Sequence, residues 1–251
     1  MHRLPVESGL LALDEPRLPD AAARHLKVLR VKAGERVELF DGRGATRVYA
    51  VAADGALRSA EPVVAHARPA ASITLFACVT KGSRWDWTVE KATELGVARI
   101  VPVISERTIV RLRPDEREAK AARWARVAED AARQSDAAWL PEVAAPMGFE
   151  QSLPLVRECD ACFVGALVTP PPPPLVSAAA DALRGRSAGA PLSLGVYVGP
   201  EGDFTPAELA ALTACATPVS LGPSVLRAET AAIYSCAVLA AVIDGFKESM
   251  K

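Results

Sequence analysis

Two glycine-bearing runs near the carboxyl end hold the residue types and spacings that could do chemistry. They are Gly199-Pro200-Glu201-Gly202-Asp203 and Gly222-Pro223-Ser224-Val225-Leu226-Arg227. Neither is a GxGxxG fingerprint or a GxxxxGK[ST] phosphate loop, so dinucleotide and nucleoside triphosphate binding lose their usual support. No lysine stands in either run to meet a phosphate. What the runs offer is exposed backbone donors and acceptors beside small residues that permit close approach, which suits a neutral or cationic heterocycle. Glycines that serve only to make turns would read the same way at this level.

Each run leaves a predicted strand and enters a predicted helix. Residues 192–198 read as a strand, Thr205-Pro206 as a cap with proline at the first helical turn, and 207–214 as the helix. Residues 218–221 form the next strand and 229–246 an apolar helix. In open α/β sheets small ligands sit at such carboxyl ends. Upstream, buried strands at 73–79 and 100–104 flank a helix at 83–95, where Trp85, Val89, Ala92 and Leu95 repeat at helical spacing. Ser83 with Asp86 reads as a shortened capping box and Gly96 as a left-handed cap. A longer helix is predicted over 114–134, a strand over 161–168 and an extended connection through the prolines at 170–174. This alternation is the sign of an α/β domain with a parallel sheet covered on both faces.

The first third reads differently. After a helix at 20–29, short β-prone runs at 36–40, 45–52 and 56–63 are broken by Asp41-Gly42 and Asp54-Gly55, the hairpin signal. We therefore divide the chain into a small antiparallel barrel at 1–68 and an α/β domain at 69–251.

The chain has 251 residues, half of them apolar and 24% charged, which excludes disordered, collagen-like and fibrous classes. The longest nearly apolar run, 231–243, falls short of the ~20 residues a bilayer demands, and residues 1–7 lack a secretory apolar core. An odd number of cysteines, five, argues against a disulfide framework, and a cytosolic protein is expected. Cys159 and Cys162 stand at CxxC spacing without a second pair of ligands and run into a strand, so neither a metal nor a redox role is expected. Net charge is +2 over residues 1–68, +3 over 69–133 and −6 over 134–251. Within the first segment, Arg24, Lys27, Arg30, Lys32, Arg36, Arg43 and Arg47 face only Glu35, Glu38 and Asp41. Charge alone fits a phosphate-facing patch and a solvated barrel surface equally.

Further motifs carry a resemblance. Lys81-Gly82-Ser83-Arg84, Thr93-Glu94-Leu95-Gly96-Val97, Gly199-Pro200-Glu201-Gly202 and Leu221-Gly222 with Val225-Leu226-Arg227-Ala228-Glu229-Thr230-Ala231 occur in this order, after His25-Leu26 and Val28-Leu29-Arg30. Over nearly the whole chain they resemble the bacterial small-subunit (16S) ribosomal RNA uracil-N3 methyltransferases of the SPOUT superfamily. The resemblance implies a PUA-like β-barrel at the amino end and a SPOUT-type parallel-sheet domain with a deep trefoil knot within about 192–246. It further implies S-adenosylmethionine as methyl donor, a homodimer, and ribosomal RNA or the small subunit as partner, with no DNA and no membrane.

Carried over residue by residue, the donor pocket would use Gly199, Pro200, Glu201, Gly202, Leu221, Gly222, Leu226 and Thr230, closed by the strand end near Val168. Arg227 would stabilise charge on the uracil, and Glu229 would orient it or open its helix as an acid at the dipole end. RNA contact would come from Arg24, Lys27, Arg30 and Arg43 on the barrel and from Lys81 and Arg84 at the first catalytic-domain helix. The chain departs from the family in several places. Asp203 replaces a third glycine, Ser224 an arginine, and Arg133-Gln134-Ser135-Asp136-Ala137 a Glu-Gln-(Ser/Cys)-Gly-Arg run. These departures suggest one alternative, a non-catalytic RNA-binding paralogue; a SPOUT enzyme acting on transfer RNA is a further one.

Overall fold

Alternation of side chains along single strands sets the layering of each of two units, seen in a computed structural model that describes residues 1–187 and 191–248. Met1–Arg68 and Glu129–Leu140 form the first unit and the remaining described residues the second. The division at residue 68 places Glu129–Leu140 in the other unit.

In the first unit, β1 (His2–Pro5) runs parallel to β2 (Arg36–Phe40), which pairs antiparallel with β3 (Ala45–Val51). β4 (Leu57–Ser59) and β5 (Val64–Ala65) both pair antiparallel with β3. Val37 and Leu39 on β2, with Tyr49 and Val51 on β3, alternate into one core. α1 (Ser8–Leu11) and α2 (Asp20–Val28) complete the amino-terminal part. The Asp41-Gly42 turn works as read. The Asp41 carboxylate accepts from the amides of Arg43 at 2.8 Å and Ala45 at 3.0 Å, and Gly42 and Gly44 take positive φ. Arg3, buried on β1, pairs with Glu38 and donates to the Ala132 carbonyl at 2.9 Å.

The second unit is a seven-stranded sheet in which every pairing is parallel. Its strands are β6 (Ala71–Cys78), β7 (Arg99–Ile104), β8 (Glu142–Val143), β9 (Met147–Gly148), β10 (Ala161–Gly165), β11 (Leu192–Val198) and β12 (Thr217–Val219). The order is β12-β10-β11-β6-β7-β8, with β9 also on β7. Helices α3 (Ser83–Glu94), α4 (Arg117–Gln134), α5 (Phe149–Val156), α6 (Leu175–Leu183), α7 (Pro206–Thr213) and α8 (Ala228–Glu248) follow in chain order. Ile73, Leu75 and Ala77 of β6 pack with α3, α6 and α8 on one face. Phe76 and Cys78 pack on the other with Phe149, Tyr197 and Phe204. Trp85 and Trp124 meet edge to face at 5.4 Å in the first of these layers.

Four local readings change. Ser83 does not cap α3; the cap position is Gly82 at φ +67° with no side-chain hydrogen bond. Residues 114–116 form a 3₁₀ turn before α4. The strand predicted over 161–168 ends at Gly165. α8 is 21 residues long, and a stretch of it passes the length and composition test for crossing a membrane, unlike the shorter run read from the sequence. Ala232, Cys236, Leu239 and Ile243 recur along it at helical spacing and are buried in the sheet core, as in a core helix.

Candidate active site

Three neighbouring strands, β12, β10 and β11, end side by side, and the residues after them enclose a cavity of about 310 Å³. β11 enters between β6 and β10, and β12 returns to the far side of β10, so the cavity lies where the strand order reverses. Gly199, Pro200, Glu201, Leu221, Gly222, Leu226 and Arg227 line it. Gly202 and Thr230 do not, and neither does Val168. Because β10 stops early, Gly165, Ala166 and Leu167 supply that wall instead.

The walls are built for close approach. A Cβ on Gly165 would sit 3.0 Å from Leu221 Cδ1, and one on Gly199 would sit 3.1 Å from the Phe204 ring. Gly222 has φ +119°, a backbone that side chains rarely tolerate. Asp203 takes φ +57°, and its carboxylate accepts from the Phe204 amide at 2.8 Å. The residue that replaces the family glycine therefore keeps the left-handed backbone that glycine would supply.

Arg107, which sequence reasoning missed, clamps this loop by donating to the carbonyls of Gly202 at 2.9 Å and Phe204 at 3.3 Å. The two partners are 95 residues apart in the chain, and no local signal links them. The loop continues into a complete capping box. Thr205 accepts from the Glu208 amide at 3.2 Å, while the buried Glu208 carboxylate accepts from the amides of Thr205 at 2.9 Å and Glu106 at 2.8 Å.

A second, more open cavity of about 610 Å³ is lined by Ser83, Arg84, Asp86, Trp87, Glu90, Arg227, Glu229 and Thr230. Arg227 lines both cavities and, among the described residues, makes no ion pair. Glu229 is only 8% exposed; its Oε1 lies 3.9 Å from Arg84 Nε and its Oε2 has no hydrogen-bond partner among the described residues. An unpaired buried acceptor costs ~1–3 kcal/mol. Arg84 also reaches Glu201 at 3.6 Å and so faces two carboxylates of the site. Trp87 is 43% exposed at the second cavity, unlike the core residues Trp85 and Trp124.

The remaining cationic candidates lie at the surface. Arg24, Lys27, Arg30 and Arg43 of the first unit and Lys81 of the second are exposed and form no ion pair among the described residues. Arg36 pairs with Glu61, and Arg47 is engaged with Asp14 at 2.6 Å and with the carbonyl of Leu11, so both leave the patch. All five cysteines are free. Burial pushes the Cys78 thiol up to about 11 and the Cys236 thiol up to about 12. Cys159 is lowered by a hydrogen bond from the Cys162 thiol, which is itself raised.

The first cavity's apolar Leu221, Leu226 and Val198, thin glycine walls and acidic Glu201 and Asp203 fit a cationic nucleoside such as S-adenosylmethionine. Comparison with known proteins agrees with this chemistry. The family described as RNA methyltransferase domain matches residues 67–240, and that described as RNA methyltransferase PUA domain matches 18–56. Ribosomal RNA small subunit methyltransferase E of Synechocystis is 31% identical over 226 residues, 87% of this chain and 70% of the relative. The protein of the same name from Mycobacterium bovis is 34% identical over 215 residues, 82% of this chain and 78% of the relative. A crystal structure of that enzyme from Neisseria gonorrhoeae bound to S-adenosyl methionine is 28% identical, with a TM-score of 0.73 over 95% of this chain and 96% of that one. With its fold, its strand-end cavity and these matches in accord, the chain belongs to the ribosomal RNA small subunit methyltransferase E family.

Proposed function

We propose that this protein transfers a methyl group from S-adenosylmethionine to N3 of a uracil in small-subunit ribosomal RNA. The observation that carries this reading is Arg227, which lines both the strand-end cavity and the adjoining open one, and so stands where donor and acceptor would meet. When bound, S-adenosylmethionine supplies a methyl group on a cationic sulfur that invites in-line displacement. Positioning contributes much of the rate of such a step, and the glycine-walled loops, the first of them held by Arg107, supply the rigid seat. Negative charge grows on the uracil carbonyl oxygens as N3 loses its proton, and the Arg227 guanidinium meets that charge. Gly199, Pro200, Glu201, Leu221, Gly222 and Leu226 hold the donor in this reading. The barrel cations hold the RNA backbone. A trefoil knot over 192–246, a homodimer and a cytoplasmic location belong to the same proposal.

The test is incubation with small ribosomal subunits or their RNA and labelled donor, followed by nucleoside mass spectrometry. 3-Methyluridine is expected. Label appearing only in transfer RNA, or donor binding without any transfer, would overturn the proposal in favour of the other two readings. Arg227→Ala should lower turnover by about 100- to 1,000-fold and leave donor affinity nearly unchanged. A parental rate in that variant removes Arg227 from the mechanism.

A further inference from the structure

The open cavity beside the donor site gathers hydrogen-bonding groups of both kinds. The buried Glu229 carboxylate lines this cavity, and its Oε2 has no hydrogen-bond partner among the described residues. Arg227 and Arg84 line the same cavity, and neither guanidinium hydrogen-bonds to a neighbour among the described residues. Arg84 is drawn toward Glu229 at 3.9 Å and Glu201 at 3.6 Å, both beyond hydrogen-bond length. The cavity lining thus holds two guanidinium donors and one carboxylate acceptor. Uracil presents the complement along its pairing edge: O2 accepts, N3–H donates and O4 accepts. Cytosine, which has an acceptor at N3 and a donor at C4, would set its N3 lone pair against a carboxylate. Trp87 gives a half-exposed ring at the same cavity on which an unstacked base can lie.

We infer that Arg84, Glu229 and Arg227 form a base-reading cradle that selects uracil by its pairing edge, with Glu229 receiving the N3 proton. The inference rests on the methyltransferase reading above and assigns the acceptor site that the reading requires. In the reacting complex N3–H breaks and its proton passes to the Glu229 carboxylate. The N3 electron pair forms the bond to the methyl carbon, while the carbon–sulfur bond breaks and leaves its pair on sulfur. Selection and activation are one contact, because only a base with a proton at that position satisfies the carboxylate. Arg84 thereby changes role from an RNA-backbone contact to a group that touches the base, and through Glu201 it ties the base cradle to the donor loop.

The test compares the full-length parent with Glu229→Gln and Arg84→Gln on small-subunit RNA, with donor affinity and thermal midpoint as controls for folding. Glu229→Gln should lower kcat at pH 7 by at least 100-fold and leave donor affinity within about threefold. Its residual rate should climb about tenfold per pH unit from 7 to 9, as hydroxide or base ionisation replaces the lost acceptor, while the parent changes little. Arg84→Gln should lower kcat at saturating RNA and leave the salt dependence of RNA binding unchanged. A backbone contact would do the opposite, reducing the log–log salt slope by about 1 and sparing kcat. Parental kcat and pH profile in Glu229→Gln, or the backbone-contact result in Arg84→Gln, would overturn the inference. If Glu229→Gln fails to fold, Arg84→Gln decides alone, since that residue is exposed. Failure of the parent to form 3-methyluridine sinks the proposed function itself, whereas a working parent with unaffected variants sinks only the cradle.

Discussion

Both family glycines that this chain replaces with aspartate stand where the backbone is left-handed. Asp136 has φ +56° and Asp203 φ +57°. Aspartate is among the few side chains that visit this region at modest cost, so the exchange alters surface chemistry while keeping the chain path. Asp203→Gly should leave donor affinity within about threefold. Asp203→Val, which forces a β-branched residue into that conformation, should weaken donor binding at least tenfold, as calorimetry would show. Legibility at this scale was uneven. The glycine runs and Arg227 announced themselves, because close approach to a ligand demands particular residue types. Gly165, Ala166 and Leu167 did not, since the apolar run through Val168 gave no sign of where the strand stops. Arg107 was silent for another reason: a clamp made through backbone carbonyls requires no particular partner residue.

At the scale of elements, local chemistry and tertiary context divide the credit. β11 ends where its apolar run ends, and α7 begins at the cap that Thr205-Pro206 encodes. Thr205→Ala should cost ~1 kcal/mol in urea unfolding, within the 0.5–2 kcal/mol spread of cap deletions, because the Glu208 amide loses its acceptor. α5 and α6 were not foreseen. α5 has only eight residues and carries Pro154 inside it, and α6 starts directly after a proline run that signals extended chain. Burial of Phe149 and Leu153 against one face of the sheet, and of Leu175 and Leu183 against the other, holds them where propensity does not. The Ser83 cap failed likewise: Ser83 is already the first helical residue, and Gly82 at positive φ makes the entry.

At the scale of the whole molecule, two predictions follow from charge. RNA affinity should fall steeply with added salt if Arg24, Lys27, Arg30, Arg43 and Lys81 face phosphates, with a log–log slope of about −0.7 per contact made to single-stranded RNA. A flat response in filter binding between 50 and 200 mM salt, on the order of a fourfold range, would remove the patch from the contact surface. The buried thiols set an alkaline limit. In the unfolded chain they lose protons near 9, whereas in the folded protein Cys78 holds its proton to about 11 and Cys236 to about 12. The unfolded state thus binds fewer protons in that interval, so stability is unaffected below pH 9 and falls above it. The fall is ~1.4 kcal/mol per pH unit per thiol, until each folded value is reached. Denaturant titrations at pH 8 to 10.5 should show it, and a Cys78→Ala, Cys236→Ala double variant should have a shallower slope despite a lower starting stability, the remainder coming from Cys162 and Cys215, whose thiols are also raised. The two-part plan was legible as a change of period, from hairpin signals to strand–helix alternation. The return of Glu129–Leu140 to the first unit was not, because α4 runs through Ala128 without a break in its helical pattern.

That return also orders events in time. The first unit closes only when Leu140 has been made, after β6, α3 and β7 of its neighbour have been translated. A nascent chain halted at Arg68 therefore lacks the segment that accepts Arg3 through the Ala132 carbonyl. At ~5–20 residues per second, the amino-terminal sheet waits several seconds for its last piece. Released chains of residues 1–68 and 1–150 should accordingly differ sharply in protease resistance of the same amino-terminal strands.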